Sequence, residues 1–118
     1  MLSKWEQVGV IGVDAGLCWI GDPCYVFHHN PPFKEVGKTW SEFCNILWAK
    51  EEANHSQRPT AVQFNYDLGH AGLGVAVSTG WGDGTYNVYV RRAEGRIKAV
   101  MVVFDQDAAD AEGVSDEV

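Results

Sequence analysis

The segment 80–104, GWGDGTYNVYVRRAEGRIKAVMVVF, constrains the fold of this 118-residue chain more than any other part of the sequence. Two runs in which apolar residues recur at every second position, 85–91 and 96–104, flank the letters RAEG. The glycine that ends this group suits the left-handed position of a tight turn. A glycine-rich stretch, 80–84, precedes the first run. The segment therefore predicts an antiparallel β-hairpin that follows a glycine-rich loop.

The rest of the chain predicts further short strands. Short apolar or alternating runs, which are typical of strands, occur at 8–13, 17–20, 24–27, 60–67 and 73–79. The first two are close enough to form a hairpin. One face of 73–79 carries only small residues, which leaves room for a ring, another backbone or a ligand. Because both faces of 96–104 are apolar, we expect this strand to be central or covered on both sides.

One helix is predicted to begin after Thr39. The letters TWSE place Thr39 at the N-cap and Glu42 three residues later, which is the capping-box pattern. Apolar residues then recur at helical spacing as a single stripe of Trp40, Phe43, Cys44, Leu47 and Trp48. The helix should end near 53–55, ahead of Pro59. We expect the stripe to cover the sheet, with a partner-binding groove or dimer face as the alternative.

These elements predict an α+β fold that is mostly β. It consists of an antiparallel curved sheet or partly open barrel of six to seven short strands, with one amphipathic helix packed on it. Residues 1–104 are expected to form a single globular domain. Residues 105–118 carry six acidic residues and no basic one, with few bulky apolar side chains. This composition predicts an acidic disordered tail that serves solubility or attracts a basic partner.

Charge and hydropathy exclude several classes of function. Outside the tail, nine basic residues face ten acidic ones, so the body is nearly neutral and lacks the dense cationic surface that nucleic-acid binding needs. No apolar run approaches the ~20 residues of a membrane-spanning helix. The first residues do not have the pattern of a signal peptide, and the three cysteines are odd in number. We expect a cytoplasmic protein with free thiols and with neither nucleic acid nor membrane as partner.

Three acidic turns supply the first candidate site residues. Asp14, Asp22 and Asp83 lie in the predicted turns DAG (14–16), GDP (21–23) and GDG (82–84). If the sheet brings these turns to one rim, their carboxylates could bind a hard cation, or act as acid and base in a hydrolysis. Aspartate is also common in turns because its side chain accepts a hydrogen bond from the following backbone. A purely turn-forming role is therefore the alternative for all three.

An indole and a group of basic residues supply the remaining candidates. Trp81 lies between two glycines, where its ring could stack on a base, a sugar or a partner, or could fold back as a plug over the end of the barrel. The hairpin carries a basic group, of which Arg91 is the first member, that could bind an anion or protect a sheet edge. The candidate ligand-binding residues are Trp81, Asp83, Tyr86, Asp14, Asp22 and Arg91. No catalytic residue and no metal ligand is assigned, because the motifs of phosphate loops, nucleophile elbows and zinc sites are missing.

Two motifs carry a resemblance to a known group of proteins. VDAGLCWIGDPCY (13–25) and GWGDGTYNVYV…GRIKAVMVVF (80–104) together resemble small uncharacterised proteins of bacteria and their phages, in which a VDAG…DPCY opening precedes a GxGDGxYxVY…GxIxxVxVxF ending. The resemblance implies a compact β-rich domain of unknown function. In a phage, it also implies a small non-enzymatic protein that binds a host protein or sequesters a host signalling nucleotide.

The sequence therefore favours a non-enzymatic small binding protein for a small ligand or a host protein, with a phage-encoded counter-defence role as one form of it. We expect a homo-oligomer that needs no cofactor. Two alternatives stay open. One is a metal-dependent hydrolase that uses the carboxylate cluster, and the other is a structural or assembly component.

Overall fold

A computed structural model describes residues 2–27, 33–53, 60–65 and 72–114. Within these ranges the chain forms six strands and four helices, in the order β1 (Glu6–Val13), β2 (Leu17–Gly21), α1 (Pro23–Phe27), α2 (Phe33–Val36), α3 (Trp40–Ala53), β3 (Ala61–Asn65), β4 (Gly72–Ser78), β5 (Gly84–Ala93), β6 (Arg96–Val103) and α4 (Gln106–Ala111). The prediction of a mostly β, antiparallel fold is confirmed. The strands form two open three-stranded sheets rather than one.

The chain divides into two compact units. Unit 1 consists of 1–16 and 79–118, and unit 2 consists of 17–78. Unit 2 is therefore inserted into the sequence of unit 1. At the point of insertion, the backbone N–H of Thr79 donates to the carbonyl of Gly16 at 3.1 Å. The single domain expected over 1–104 stays a prediction.

Unit 1 contains the sheet β1-β5-β6, with β5 in the centre. β5 and β6 are joined by Glu94 and Gly95, whose φ angles of 56° and 74° are the left-handed values that a two-residue hairpin turn requires. The predicted hairpin is thus confirmed. The central position expected for 96–104 is wrong. β1 occupies the other side of β5, so β6 lies at the edge and residues 96–100 are exposed.

Helix α4 packs on unit 1 and corrects the predicted tail. Ala109 is fully buried against Tyr89 and Val103, together with the partly buried Trp5, Met101 and Val114. Residues 105–114 are therefore ordered, whereas their acidic composition predicted disorder. Composition was misleading because Asp105 caps the start of the helix, and the alanines that follow it have high helix propensity. Residues 115–118 lie outside the described residues.

Asp105 is the N-cap of α4, and its replacement by alanine should weaken the helix. The Asp105 side chain accepts a hydrogen bond from the N–H of Ala108 at 2.9 Å. We expect Asp105→Ala to lower the free energy of unfolding by about 1 kcal/mol, as measured by urea denaturation, because one orphan N–H loses its partner. Asp105→Asn, which can still cap, should stay close to the wild type. Equal losses in the two variants would contradict the capping role.

Unit 2 contains the sheet β2-β4-β3, with β4 in the centre. β2 pairs with β4 from Leu17↔Ser78 to Gly21↔Gly74. The predicted hairpin between 8–13 and 17–20 is therefore wrong, because each of these strands finds its partner far along the chain and in a different sheet.

The run 24–27, predicted as a short strand, belongs to helix α1. Asp22 Oδ1 accepts a hydrogen bond from the N–H of Cys24 at 2.9 Å, and Pro23 occupies the first helical position, where its missing N–H carries no penalty. Local capping therefore decides the structure of this segment against its β-like composition.

Helix α3 confirms the predicted helix and its start. The N–H of Glu42 donates to Thr39 Oγ1 at 3.2 Å, while the Glu42 carboxylate accepts from the N–H of Lys38. Around α3, the core of unit 2 consists of Leu47, Val62, Phe64, Leu73 and Ala76. The apolar stripe is only partly buried. Phe43 and Leu47 face this core, but Trp40 and Trp48 are 57% and 56% exposed.

Candidate functional site

Five of the six candidate residues lie in unit 1, and Asp22 lies in unit 2. Asp22 caps α1 through its side chain, which is the turn-forming role that the sequence left open. In unit 1, the β1-β5 ladder ends at Val13↔Gly84, so Asp14 and Asp83 are the next residues on the two strands. Both are exposed. In the described parts of the chain, no group of three or more His, Cys, Asp or Glu side chains could hold a metal ion.

The hydroxyl of Tyr86 forms a hydrogen bond to the backbone of the glycine-rich loop 80–84. Its hydroxyl donates to the carbonyl oxygen of Gly82 at 2.8 Å, and Thr79 Oγ1 donates to the same oxygen at 2.9 Å. Gly80 and Gly82 have φ angles of 79° and 76°, which residues with a side chain rarely adopt. Tyr86, which is buried with 8% of its surface exposed, thus fixes the loop conformation through its hydroxyl.

Trp81 stands out from this loop. It is 68% exposed, and its Nε1 lies 3.4 Å from Asp105 Oδ2. The alternative in which Trp81 plugs the end of the sheet is therefore wrong. An exposed indole on a hydrogen-bonded loop is accessible to a partner, and its role in binding stays a prediction.

Arg91, the remaining candidate, lines a cavity in unit 1. The cavity has a volume of about 480 Å³, which lies within the usual range of small-molecule sites. Strand β5 contributes Tyr89 and Arg91, which lie two residues apart and so face the same side of the sheet. The other walls come from the chain ends, namely Lys4, Trp5, Gln7, Glu112, Gly113 and Val114.

The guanidinium of Arg91 lies over the ring of Trp5, and its Nε has no hydrogen-bond partner. Its Cζ lies 4.7 Å from the centroid of the Trp5 ring, which is cation–π distance. Its Nε is buried and has no hydrogen-bond partner, and no other buried side-chain nitrogen or oxygen in the described residues shares this state. A buried donor without an acceptor costs roughly 1–3 kcal/mol.

Two hydrogen bonds connect Gln7, Asn87 and the hydroxyl of Tyr89. Gln7 Nε2 donates to Asn87 Oδ1 at 3.2 Å, and Asn87 Nδ2 donates to the Tyr89 hydroxyl oxygen at 3.3 Å. Because this oxygen already accepts a hydrogen bond, its own O–H is directed elsewhere. Tyr89 is only 4% exposed, and it is one of the residues that line the cavity.

Glu112 supplies the only carboxylate among the lining residues. Its Oε2 accepts a hydrogen bond from Trp5 Nε1 at 3.2 Å. Arg91 and Lys4 contribute two positive charges to the same walls. The cavity is therefore rich in donors and carries a small excess of positive charge.

The cysteines do not supply a nucleophile to this cavity. Cys18 belongs to unit 2, and burial raises the pKa of its thiol above the ordinary value, which disfavours the reactive thiolate. Cys24 is exposed and Cys44 is partly buried, and all three are free thiols as predicted.

Comparison with known proteins gives a family without an activity. The model of a family described as a protein of unknown function, DUF4241, matches residues 4–103. No curated protein and no solved structure shows significant similarity to the chain. Among the described helices, none is both long enough and apolar enough to cross a membrane. Since the family model covers most of the chain, including strands of both sheets, the protein belongs to the DUF4241 family of proteins of unknown function.

Proposed function

We propose that this protein is a non-enzymatic binding protein whose cavity in unit 1 takes a small anionic ligand. The observation that carries the proposal is the position of Arg91, which lines the cavity while its guanidinium lies against the Trp5 ring. The positive charge of this guanidinium attracts an anion that enters the cavity. Hydrogen bonds from a guanidinium to an anion are shorter and stronger than those between neutral groups.

The other lining side chains support the same proposal. The Tyr89 hydroxyl accepts from Asn87 and keeps its own proton to donate, and one oxygen of Glu112 accepts from Trp5. Two of the three charged lining side chains, Lys4 and Arg91, are cationic, which favours an anion over a cation.

Replacing Arg91 should remove anion binding. We expect at least one of acetate, benzoate, phosphate and phenyl phosphate to raise the thermal midpoint of the wild type, because a ligand of the folded state stabilises it by mass action. In Arg91→Gln, the affinity should fall about tenfold or more, which corresponds to one charge-assisted hydrogen bond of ~1.5–3 kcal/mol. Calorimetric titration measures both affinities.

Arg96→Gln is the matched control for this substitution. Arg96 is an exposed residue of the same hairpin, begins β6 and does not line the cavity. Its replacement removes the same charge and should leave the affinity unchanged. If Arg96→Gln weakens binding as much as Arg91→Gln does, the effect is one of overall charge and the cavity is not the site. If no anion binds to the wild type, the proposal fails.

Native mass spectrometry of the purified protein tests the same proposal without a choice of probe. A bound anion adds its own mass to the 13.0 kDa chain, and the adduct should be absent in Arg91→Gln. The same spectrum measures the number of chains in the assembly, for which a homo-oligomer is our expectation. A host-protein partner, the other form of the binding hypothesis, requires a pull-down with the Trp81 loop intact and with Trp81→Ala.

A further inference from the structure

We infer that β6 is the interface of a homodimer, in which the β6 strands of two copies of this chain pair in antiparallel orientation. This pairing joins the three-stranded unit 1 sheets of both copies into one sheet of six strands. The inference goes beyond the proposed function, because no residue of β6 lines the cavity. The unpaired edge of β6, its exposed apolar side chains and the distribution of charge along the chain carry the inference.

The outer edge of β6 has backbone groups that no strand of this chain takes up. In the order β1-β5-β6, β6 pairs with β5 alone. Among the described residues, no further backbone hydrogen bond to β6 is formed. The N–H and C=O groups on this edge are therefore free to pair with another extended strand, which is how a sheet adds a strand from a second chain.

Two large apolar side chains of β6 remain exposed. Ile97 and Val100 are 56% and 59% exposed. In the β5-β6 ladder, Val100 and Val102 lie opposite Val90 and Val88, so these four valines share one face of the sheet. A strand added beside β6 extends this valine face and covers Val100, because directly opposite residues of neighbouring strands pack against each other.

The first half of β6 is protected against pairing, and the second half is not. Arg96 and Lys98 carry charge, and the register against β5 skips Lys98, which forms a bulge. Charged side chains and bulges are common means by which proteins protect a sheet edge. The residues that follow, AVMVV (99–103), carry no charge and no proline. The segment available for pairing is therefore 99–103.

Charge favours a second copy in antiparallel orientation as the partner strand. β6 begins with Arg96 and Lys98 and is followed by Asp105 and Asp107, and no basic residue occurs from 99 to 114. An antiparallel copy places the basic start of each β6 beside the acidic residues that follow the other, and two-fold symmetry repeats this contact. A parallel copy would instead place the basic residues side by side.

The uncharged segment also sets the register of the two strands. A two-fold axis at Met101 pairs 99–103 with itself. Val100 then lies opposite Val102 of the partner subunit, and the valine faces of both copies become continuous. Lys98 falls just beyond the last pair, next to the partner's Asp105. This register pairs the longest uncharged stretch that β6 contains.

Analytical ultracentrifugation of the full chain over a range of concentrations tests the inference. We expect the wild type to form a dimer of twice 13.0 kDa. Val100→Lys should raise the dissociation constant at least about tenfold, because it places a charge on the paired segment. Ile97→Lys is the matched control. It adds the same charge at an equally exposed position of β6 outside this segment, and should not weaken the dimer.

Disulfide trapping measures the register directly and does not depend on a loss of binding. The background is Cys24→Ser with Cys44→Ser, which removes the two thiols that are not buried. Directly opposite residues of antiparallel strands lie close enough for a disulfide, whereas diagonal ones are farther apart. We expect a mixture of Val100→Cys and Val102→Cys to give a crosslinked dimer on oxidation, and either variant alone to give much less.

Three outcomes would overturn the inference. A wild type that stays monomeric excludes a second copy and leaves the β6 edge to a strand of a different protein. A dimer that Val100→Lys leaves intact, or that Ile97→Lys weakens equally, uses another surface. Crosslinking of Val100→Cys alone that equals crosslinking of the mixture excludes the antiparallel register.

Discussion

Phe64→Ala is expected to lower the free energy of unfolding by about 3–5 kcal/mol, a large part of the ~5–15 kcal/mol that a domain has. Phe64 has no exposed surface, and its ring lies 5.3 Å from that of Trp19 and 5.2 Å from that of Phe43. The Lys50 ammonium lies 5.1 Å above the same ring. Removal of this ring therefore leaves a cavity at the centre of unit 2. Urea denaturation followed by tryptophan fluorescence measures the loss.

Trp48→Ala is the control for the loss of a large aromatic side chain. Trp48 belongs to α3, which packs on the same core, but it is 56% exposed. Because nearly half of this side chain is buried, its removal should cost about 1–2 kcal/mol, clearly less than the loss expected for Phe64→Ala. A loss below 1 kcal/mol for Phe64→Ala would contradict the position of Phe64 at the centre of the core.

Gly74→Ala should also destabilise unit 2, by about 1–3 kcal/mol, because it overpacks the sheet. A Cβ on Gly74 would overlap the ring of Trp19, and it would lie 2.9 Å from the carbonyl oxygen of Ile20. The small-residue face expected for 73–79 thus leaves room for a ring, and that ring is Trp19. Chemical denaturation of the single variant measures the effect.

A double-mutant cycle shows whether the Trp19 ring causes the loss. In Trp19→Phe, the side chain at position 19 is smaller. Gly74→Ala should therefore lower the free energy of unfolding less in that variant than in the wild type. Gly12→Ala is the matched control, since a Cβ at Gly12 in β1 meets no atom within 4 Å. If Gly74→Ala and Gly12→Ala have equal effects, the close approach of Trp19 does not constrain the sheet.

Local signals in the sequence were sufficient for two elements. The capping pattern around Thr39 and Glu42 requires only neighbouring residues, and it gives the start of α3 correctly. The turn at 94–95 likewise depends on two residues, and it sets the register of β5 against β6. Hydrogen bonds that close within a few residues leave their signal in a short stretch of sequence.

The partition into two sheets had no such signal. β1 and β2 are separated by three residues, which favours a hairpin, yet β1 pairs with β5 and β2 pairs with β4. Both segments carry apolar residues typical of strands, and that composition does not specify which strand each one pairs with. The choice is made by contacts over the whole chain, which periodicity does not record.

One residue of the cavity was among the sequence candidates. Arg91 belongs to the basic group for which the sequence left anion binding and protection of a sheet edge open, and it lines the cavity. Trp5 and Glu112 were not identified, because these two residues lie 107 positions apart and meet only when both chain ends pack on the sheet. Helix α4 was also not predicted, because residues 105–118 are acidic. The residue that packs this helix on the sheet, the fully buried Ala109, is a single alanine within that stretch.

The hydrogen bond between Gly16 and Thr79 has a consequence for the order of folding. The β5-β6 hairpin closes over two residues, but β1 must find β5 across the whole of unit 2. A long loop is slow and entropically costly to close, and a folded insert shortens it by holding its two ends together. We therefore expect unit 2 to fold before β1 pairs with β5 in the sheet of unit 1. In pulsed hydrogen exchange, Phe64→Ala should delay protection of the β1 amides, although Phe64 belongs to the other unit. Unchanged timing in β1 would mean that the two units fold independently.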